Sequence, residues 1–373
     1  MAIKTKYSTG KSSGTGTLPS GDDGSINSNS WGEFQALLQK SVDAGTTFSQ
    51  GVVSTYSLAY TLVGAYIGNV LAANGDVHFI PFSATVGQKI SASGIPSTYS
   101  LLVGGGGGYV GGVLASNGDI HMIPCSANKG QKISASGVVS TYTLIYTTSN
   151  AYRGGVVAPN GDIHFIPLNA NRGQKISAAG VVSTYSLIYT NAGGAYIGGV
   201  LDVNGDIHFI PFVASVGQKV SSTGVVSTYS LIYTSASGAY QGGVLGINGD
   251  IHMIHSNSTV GQKISASGVV STYSLVSTAG SYSGGILAPN GDIHFIPYYQ
   301  TPVGQKISKE GVVSTYSLPY TSSTIEAFAG GVLNANGDII ITTMSAPIGM
   351  KISTGAIKPF SHAICCSPFF NKF

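Results

Sequence analysis

The tripeptide Asn-Gly-Asp occurs seven times, at 74, 117, 160, 204, 248, 290 and 336, in steps of 42 to 46 residues. Two further motifs keep the same rhythm. Segments like GVVSTYSL begin at Gly51, Gly94, Gly137, Gly180, Gly224, Gly268 and Gly311, and segments like GQKIS at Gly87, Gly130, Gly173, Gly217, Gly261, Gly304 and Gly349. A repeat of this length is one supersecondary unit that cannot bury its apolar face alone, so neighbouring units must stack. One unit reads YxGGVL, Asn-Gly-Asp turn, IHFIP, short loop, GQKIS, SASG turn, VVSTYSL, longer loop. Each piece is short, rich in Val, Ile, Thr, Tyr and Phe, and bounded by Gly, Asn, Asp or Pro, the signature of strands. Asn-Gly also favours a type I′ hairpin turn with positive φ at both central residues. Four short strands per unit, repeated seven times, predict an all-β chain: a seven-bladed β-propeller of four-stranded antiparallel blades.

Crowding sets the strand order. Blades converge on an axis, and the Gly-Gly of YxGGVL suits the innermost strand, which has least room. IHFIP is then second, GQKIS third and VVSTYSL outermost. The first complete motif is an outer strand at 51–58 and the last a third strand at 349–353. The N-terminal segment is therefore expected to complete the seventh blade and leave no open edge. A degenerate copy beginning at Gly355 competes for that place.

The expected organisation is a flexible polar leader at 1–28, a short amphipathic helix at 29–46, the propeller at 47–363 and an aromatic tail at 364–373. In the helix Trp31, Phe34, Leu37 and Leu38 fall at helical spacing and are candidates for docking a partner. Only 8% of residues are charged and the net charge is +3, with no basic cluster, which speaks against nucleic acid as a partner. Mean hydropathy is +0.25, yet no apolar run reaches the ~18 residues of a spanning helix. The start carries no signal-peptide pattern, and three cysteines form no disulfide framework. Cytoplasm, or a virion assembled there, is the expected location.

In architecture the repeats over roughly 51–363 resemble the kelch and WD propellers, the Gly-Gly strand being the most kelch-like feature. The Trp-Asp signature is absent, and the single Trp31 lies outside the repeats. Near-identical units behind a polar leader also resemble phage and virus particle proteins.

Chemistry is sparse. Six units carry Asp-x-His, with His78, His121, His164, His208, His252 and His294, but the seventh has Ile340. The set is read as hydrogen-bonding structure and not as a metal ring. No cofactor or metal is expected. Beyond the repeated Asp and the leader the acids are Asp202, Glu310 and Glu326, in separate loops or turns, so no paired carboxylates are evident and the chain is read as not an enzyme.

Sequence variation concentrates in the loops after strands two and four, which share one end of an up-and-down blade. The binding candidates there are Asn128, Lys129, Arg153, Asn171, Arg172, Gln241, His255, Tyr298, Tyr299 and Gln300. These features give the expectation of a non-enzymatic scaffold that binds protein, as a virus or phage particle component. A lectin-like propeller that binds glycans is the alternative.

Overall fold

A computed structural model describes residues 4–9, 12–17, 52–320 and 326–354. Lys4–Thr9 and Ser12–Thr17 pair as an antiparallel hairpin. The remaining strands form seven four-stranded sheets arranged as propeller blades. Blade one comprises Tyr66–Leu71, Val77–Pro81, Val86–Ile90 and Pro96–Ser100, hydrogen-bonded in that order. Blades two to six repeat this order. Blade seven comprises Phe328–Leu333, Asp338–Thr343, Gly349–Ser353 and, as its fourth strand, Val52–Tyr56 from the beginning of the chain. Val52 lies opposite Ser353 and Tyr56 opposite Gly349. The ring therefore closes as the motif phase predicts. No helix occurs among the described residues. The helix expected over 29–46, with Trp31, Phe34, Leu37 and Leu38, lies outside them, as does the aromatic tail.

The Asn-Gly-Asp turns depart from type I′. In blade one the Gly75 N–H donates to the Ala72 carbonyl and the Ala72 N–H to the Asp76 carbonyl, and only Gly75 has positive φ. This is a type I turn followed by a left-handed glycine, a three-residue hairpin loop. The Asn74 side chain accepts the Asp76 N–H at 3.0 Å, and that bond stabilises the right-handed turn.

The Gly-Gly of strand one serves close approach between blades. A Cβ on Gly112 would stand 2.7 Å from Ile80 Cδ1 and 2.9 Å from Val70 Cγ2 of the preceding blade. Apolar layers fill the space between adjacent blades. Tyr66, Leu71 and Phe79 of blade one, for example, pack on Val332 and Ile340 of blade seven. Those strand residues are buried on both faces, which explains a positive mean hydropathy without a membrane span. No helix among the described residues is long and apolar enough to cross a membrane.

Two polar devices repeat around the ring. The buried Gln88 Oε1 accepts the N–H groups of Ala59 and Tyr60, at 3.0 and 2.7 Å, where the chain leaves blade seven. Gln131, Gln174, Gln218, Gln262 and Gln305 do the same for the following blades. At the seventh interface Met350 replaces the Gln, and Pro319 removes one of the two donors. The second device is the histidine. His78 Nδ1 lies 3.3 Å from the Tyr99 hydroxyl of the outer strand, and His121, His164, His208 and His294 pair likewise with Tyr142, Tyr185, Tyr229 and Tyr316. One Lys–Asp ion pair closes each blade, at 2.6 to 3.0 Å.

Candidate functional site

A seven-fold scaffold acquires a unique site where its symmetry breaks. The second residue of strand one, next to the axis, is apolar in four blades (Ile67, Val110, Ile197 and Ala329) and polar in three (Arg153, Gln241 and Ser283). The residue after the five-residue core of strand two also varies: Phe82, Cys125, Leu168, Phe212, Ser256, Tyr298 and Met344. Ile67, Val110, Ala329, Cys125 and Met344 join in one apolar cluster, against which Phe82 and Tyr298 pack. The variable loops meet above it. The Ser83 N–H donates to the Gly64 carbonyl and the Gly105 N–H to the Ala84 carbonyl, so the loops after strands two and four do share a face.

Arg153 of blade three interacts with Tyr298 of blade six. Those blades are three steps apart in the ring, so the two side chains approach each other across the axial mouth. Glu326, on the approach to blade seven, also interacts with the Tyr298 hydroxyl. It is held there by a bridge to Tyr299 and by the Ala327 N–H donating to the Tyr298 carbonyl at 2.9 Å. Among the described residues no carboxylate lies within ion-pair distance of Arg153, and its buried Nε has no hydrogen-bond partner. Burial drives the Tyr298 phenol pKa well above its ordinary value; Arg153 opposes this and Glu326 adds to it. The phenol is thus a protonated donor at neutral pH. Burial likewise raises the Cys125 thiol, against the pull of Arg153, so Cys125 stays protonated and contributes packing.

The other candidates divide by position. Gln241 is buried in strand one, and Tyr299 and Gln300 are exposed beside Tyr298. Asn128, Lys129, Asn171 and Arg172 are exposed where the chain enters strand three. Arg172 lies over the Tyr146 ring at 5.7 Å. His255 is fully buried, its ring edge on Tyr282 at 4.8 Å, and burial lowers its pKa to about 4. It takes the place that proline holds in five other blades, and its Nε2 lies 3.3 Å from the buried Gln305 Nε2 of the next blade. Glu326 sits in a connection of unequal length with no counterpart in the other blades, and Cys125 reads in the sequence as one more apolar substitution.

No protein-family model matches the sequence, and no characterised protein matches it. Solved structures do. A streptogramin B lyase superposes with a TM-score of 0.70 at 19% identity, over 81% of this chain and 97% of its own. A catalytically inactive histidine-to-alanine variant of virginiamycin B lyase from Staphylococcus aureus, with quinupristin, gives 0.71 at 19% identity over 82% and 99%. A candidate gluconolactonase gives 0.50 at 11% identity over 82% and 93%. At such identities the likeness establishes the fold. It also corrects the expectation of a non-enzymatic virion scaffold or, alternatively, a lectin, because the propellers that this chain resembles include enzymes. The physical reason is that separation along the sequence is not separation in a closed ring. The ring instead brings Arg153, Tyr298 and Glu326, from three different blades, to one mouth.

Proposed function

We propose that the chain is an acid–base enzyme of the lyase class, acting at the axial mouth on a small β-acyloxy carboxylate or the corresponding lactone. The observation that carries this reading is Arg153, a guanidinium with no carboxylate within ion-pair distance among the described residues, set against a protonated phenol and a carboxylate. The guanidinium holds the substrate carboxylate and stabilises the charge that develops on it as the adjacent C–H bond breaks. Glu326 takes that proton. The electron pair forms the C=C bond as the β-carbon–oxygen bond breaks, and the oxygen departs as a carboxylate that accepts a hydrogen bond from the Tyr298 phenol. Glu326 then releases its proton to water as the products leave, and the site is restored. The lyases of similar fold support the reaction class.

The test is an elimination assay on linear β-acyloxy carboxylates and lactones, following the ultraviolet absorbance of the unsaturated product. Turnover by the wild-type chain is expected. Glu326→Gln and Tyr298→Phe should each lower kcat by about 10²-fold or more, and Arg153→Met should lower kcat/KM by about 10²–10³-fold. Absence of turnover on both substrate types, or turnover that survives all three substitutions, overturns the reading.

A further inference from the structure

A second break in symmetry lies on the opposite face, where the Asn-Gly-Asp turns cluster. The residue that opens this turn is small in five blades: Ala72, Ala115, Ala158, Gly246 and Ala288. Blade seven has Asn334 there and blade four has Asp202. Asp202 is held firmly. Its Oδ1 accepts the backbone N–H groups of Asn204 and Asp206, both at 2.8 Å, and its Oδ2 stands 3.4 Å from His208 Nε2. The other ring nitrogen of His208, Nδ1, faces the Tyr229 hydroxyl at 3.2 Å.

The charge count around Asp202 is uneven. Each blade neutralises the Asp of its turn with the Lys of strand three, and in blade four Lys219 pairs with Asp206 at 2.7 Å. Asp202 is then a carboxylate beyond the Lys–Asp pairs: its side chain is only 12% exposed, the His208 imidazole at 3.4 Å is its one ion-pair partner and is charged only when protonated, and among the described residues no Lys or Arg lies within ion-pair distance. A nearly buried carboxylate is costly unless a counter-charge meets it. Burial works against the ionised form, but His208 and the two backbone N–H groups outweigh it and hold the carboxyl below its ordinary range. Beside it, between blades four and five, opens a cavity of about 330 Å³ whose polar lining is Asp202, Asn204, His208, Lys219, Ser265 and Ser267, with the Lys219 ammonium already held by Asp206. This is far more room than one water needs. Among the described residues no three metal-ligating side chains converge, so the donor set does not suit a metal ion.

We propose that this groove binds a small organic cation, an ammonium or guanidinium compound, with Asp202 as its charge partner and Asn204, Ser265 and Ser267 as its polar rim. The site is independent of the axial mouth and stands or falls without it. The test is calorimetric titration of the full chain with putrescine and with methylguanidine, sodium chloride serving as the ionic-strength control, while the His208 ring resonances are followed by NMR. One saturable site per chain is expected, with movement of the His208 signals. Asp202→Ala installs the residue that blades one, two, three and six already carry. It should weaken binding by about tenfold or more, the scale of one lost charge-assisted contact, and leave the unfolding midpoint near that of the wild type. Asp202→Asn, which keeps a side-chain acceptor for the two backbone N–H groups, should weaken binding equally and covers the case in which the alanine variant folds poorly. No saturable binding of either probe by the wild type, or unchanged affinity in the variants, overturns the proposal.

Discussion

Removing residues 1–60 will leave a chain that no longer unfolds cooperatively as a monomer. Val52–Tyr56 is the outer strand of blade seven, hydrogen-bonded to Gly349–Ser353 along its whole length. Val53 packs against the core cluster of the last blades, while Tyr56, Leu58 and Tyr60 cover the layer between blades seven and one. Tyr56 also lies flat where a Cβ on Gly349 would stand 2.2 Å from its ring, and its hydroxyl donates to the Ile341 carbonyl at 3.3 Å. These side chains are only partly buried, so each stabilises the fold by less than the roughly 1.5–3 kcal/mol of full burial. Four of them, together with the ladder, are still a large share of the ~5–15 kcal/mol that holds a typical domain together. The bared strand Gly349–Ser353 becomes an open edge, and aggregation should follow. A circular permutant that begins at residue 61 and carries residues 51–60 after residue 354 should recover a single sharp transition. A truncated chain that keeps the wild-type midpoint would show that the copy beginning at Gly355 takes the vacant place.

Acid will unfold the propeller well above the pH at which its carboxylates titrate. His78, His121, His164, His252, His255 and His294 are buried, and their pKa values are lowered from 6.5 to about 4. Burial is the main cause. In the five that belong to the repeat, the neighbouring Lys reinforces it and the neighbouring Asp opposes it. The folded state therefore binds fewer protons than the unfolded chain once the pH falls below 6.5. Stability is fully present above that value and is lost as the pH falls towards about 4. Each histidine accounts for up to about 3 kcal/mol over the window, so six of them exceed the stability of an ordinary domain. Asp76, Asp119 and Asp162, held below their ordinary range despite burial by Lys89, Lys132 and Lys175, lose their contribution only at lower pH. Urea unfolding at several pH values should show an uptake approaching six protons. Replacing His164 by Ile, the residue that blade seven carries as Ile340, should remove about one of them. A midpoint independent of pH between 6.5 and 4.5 would contradict the burial argument.

The fold was legible because the repeat states its constraints seven times. Four strand segments between fixed turns leave one economical architecture, and the mismatch between the first outer strand and the last third strand reveals how the ring shuts. The type I′ expectation failed because it weighed Asn and Gly alone. Asn74 caps the turn through its side chain and keeps a right-handed backbone, so only the glycine is left-handed. The site was legible in part. Variation marks loops that the fold gathers at one face, with Arg153 and Tyr298 among the varied positions, and His255, another of them, is buried. Glu326 and Asp202 were visible only as isolated acids. Their meaning depends on which blades face one another across the axis and which carboxylate each lysine has already taken, and spacing along the chain carries neither fact.

The axial mouth is tested most directly by counting and locating bound anions. The chain carrying Glu326→Gln should bind 3-acetoxypropanoate without turning it over. Calorimetry should then give one site per chain, because Arg153 occurs in one blade of the seven, and adding Arg153→Met should weaken binding by about tenfold or more. Seven equivalent sites, or an affinity that does not change when Arg153 is lost, would contradict a site made by broken symmetry at the axis.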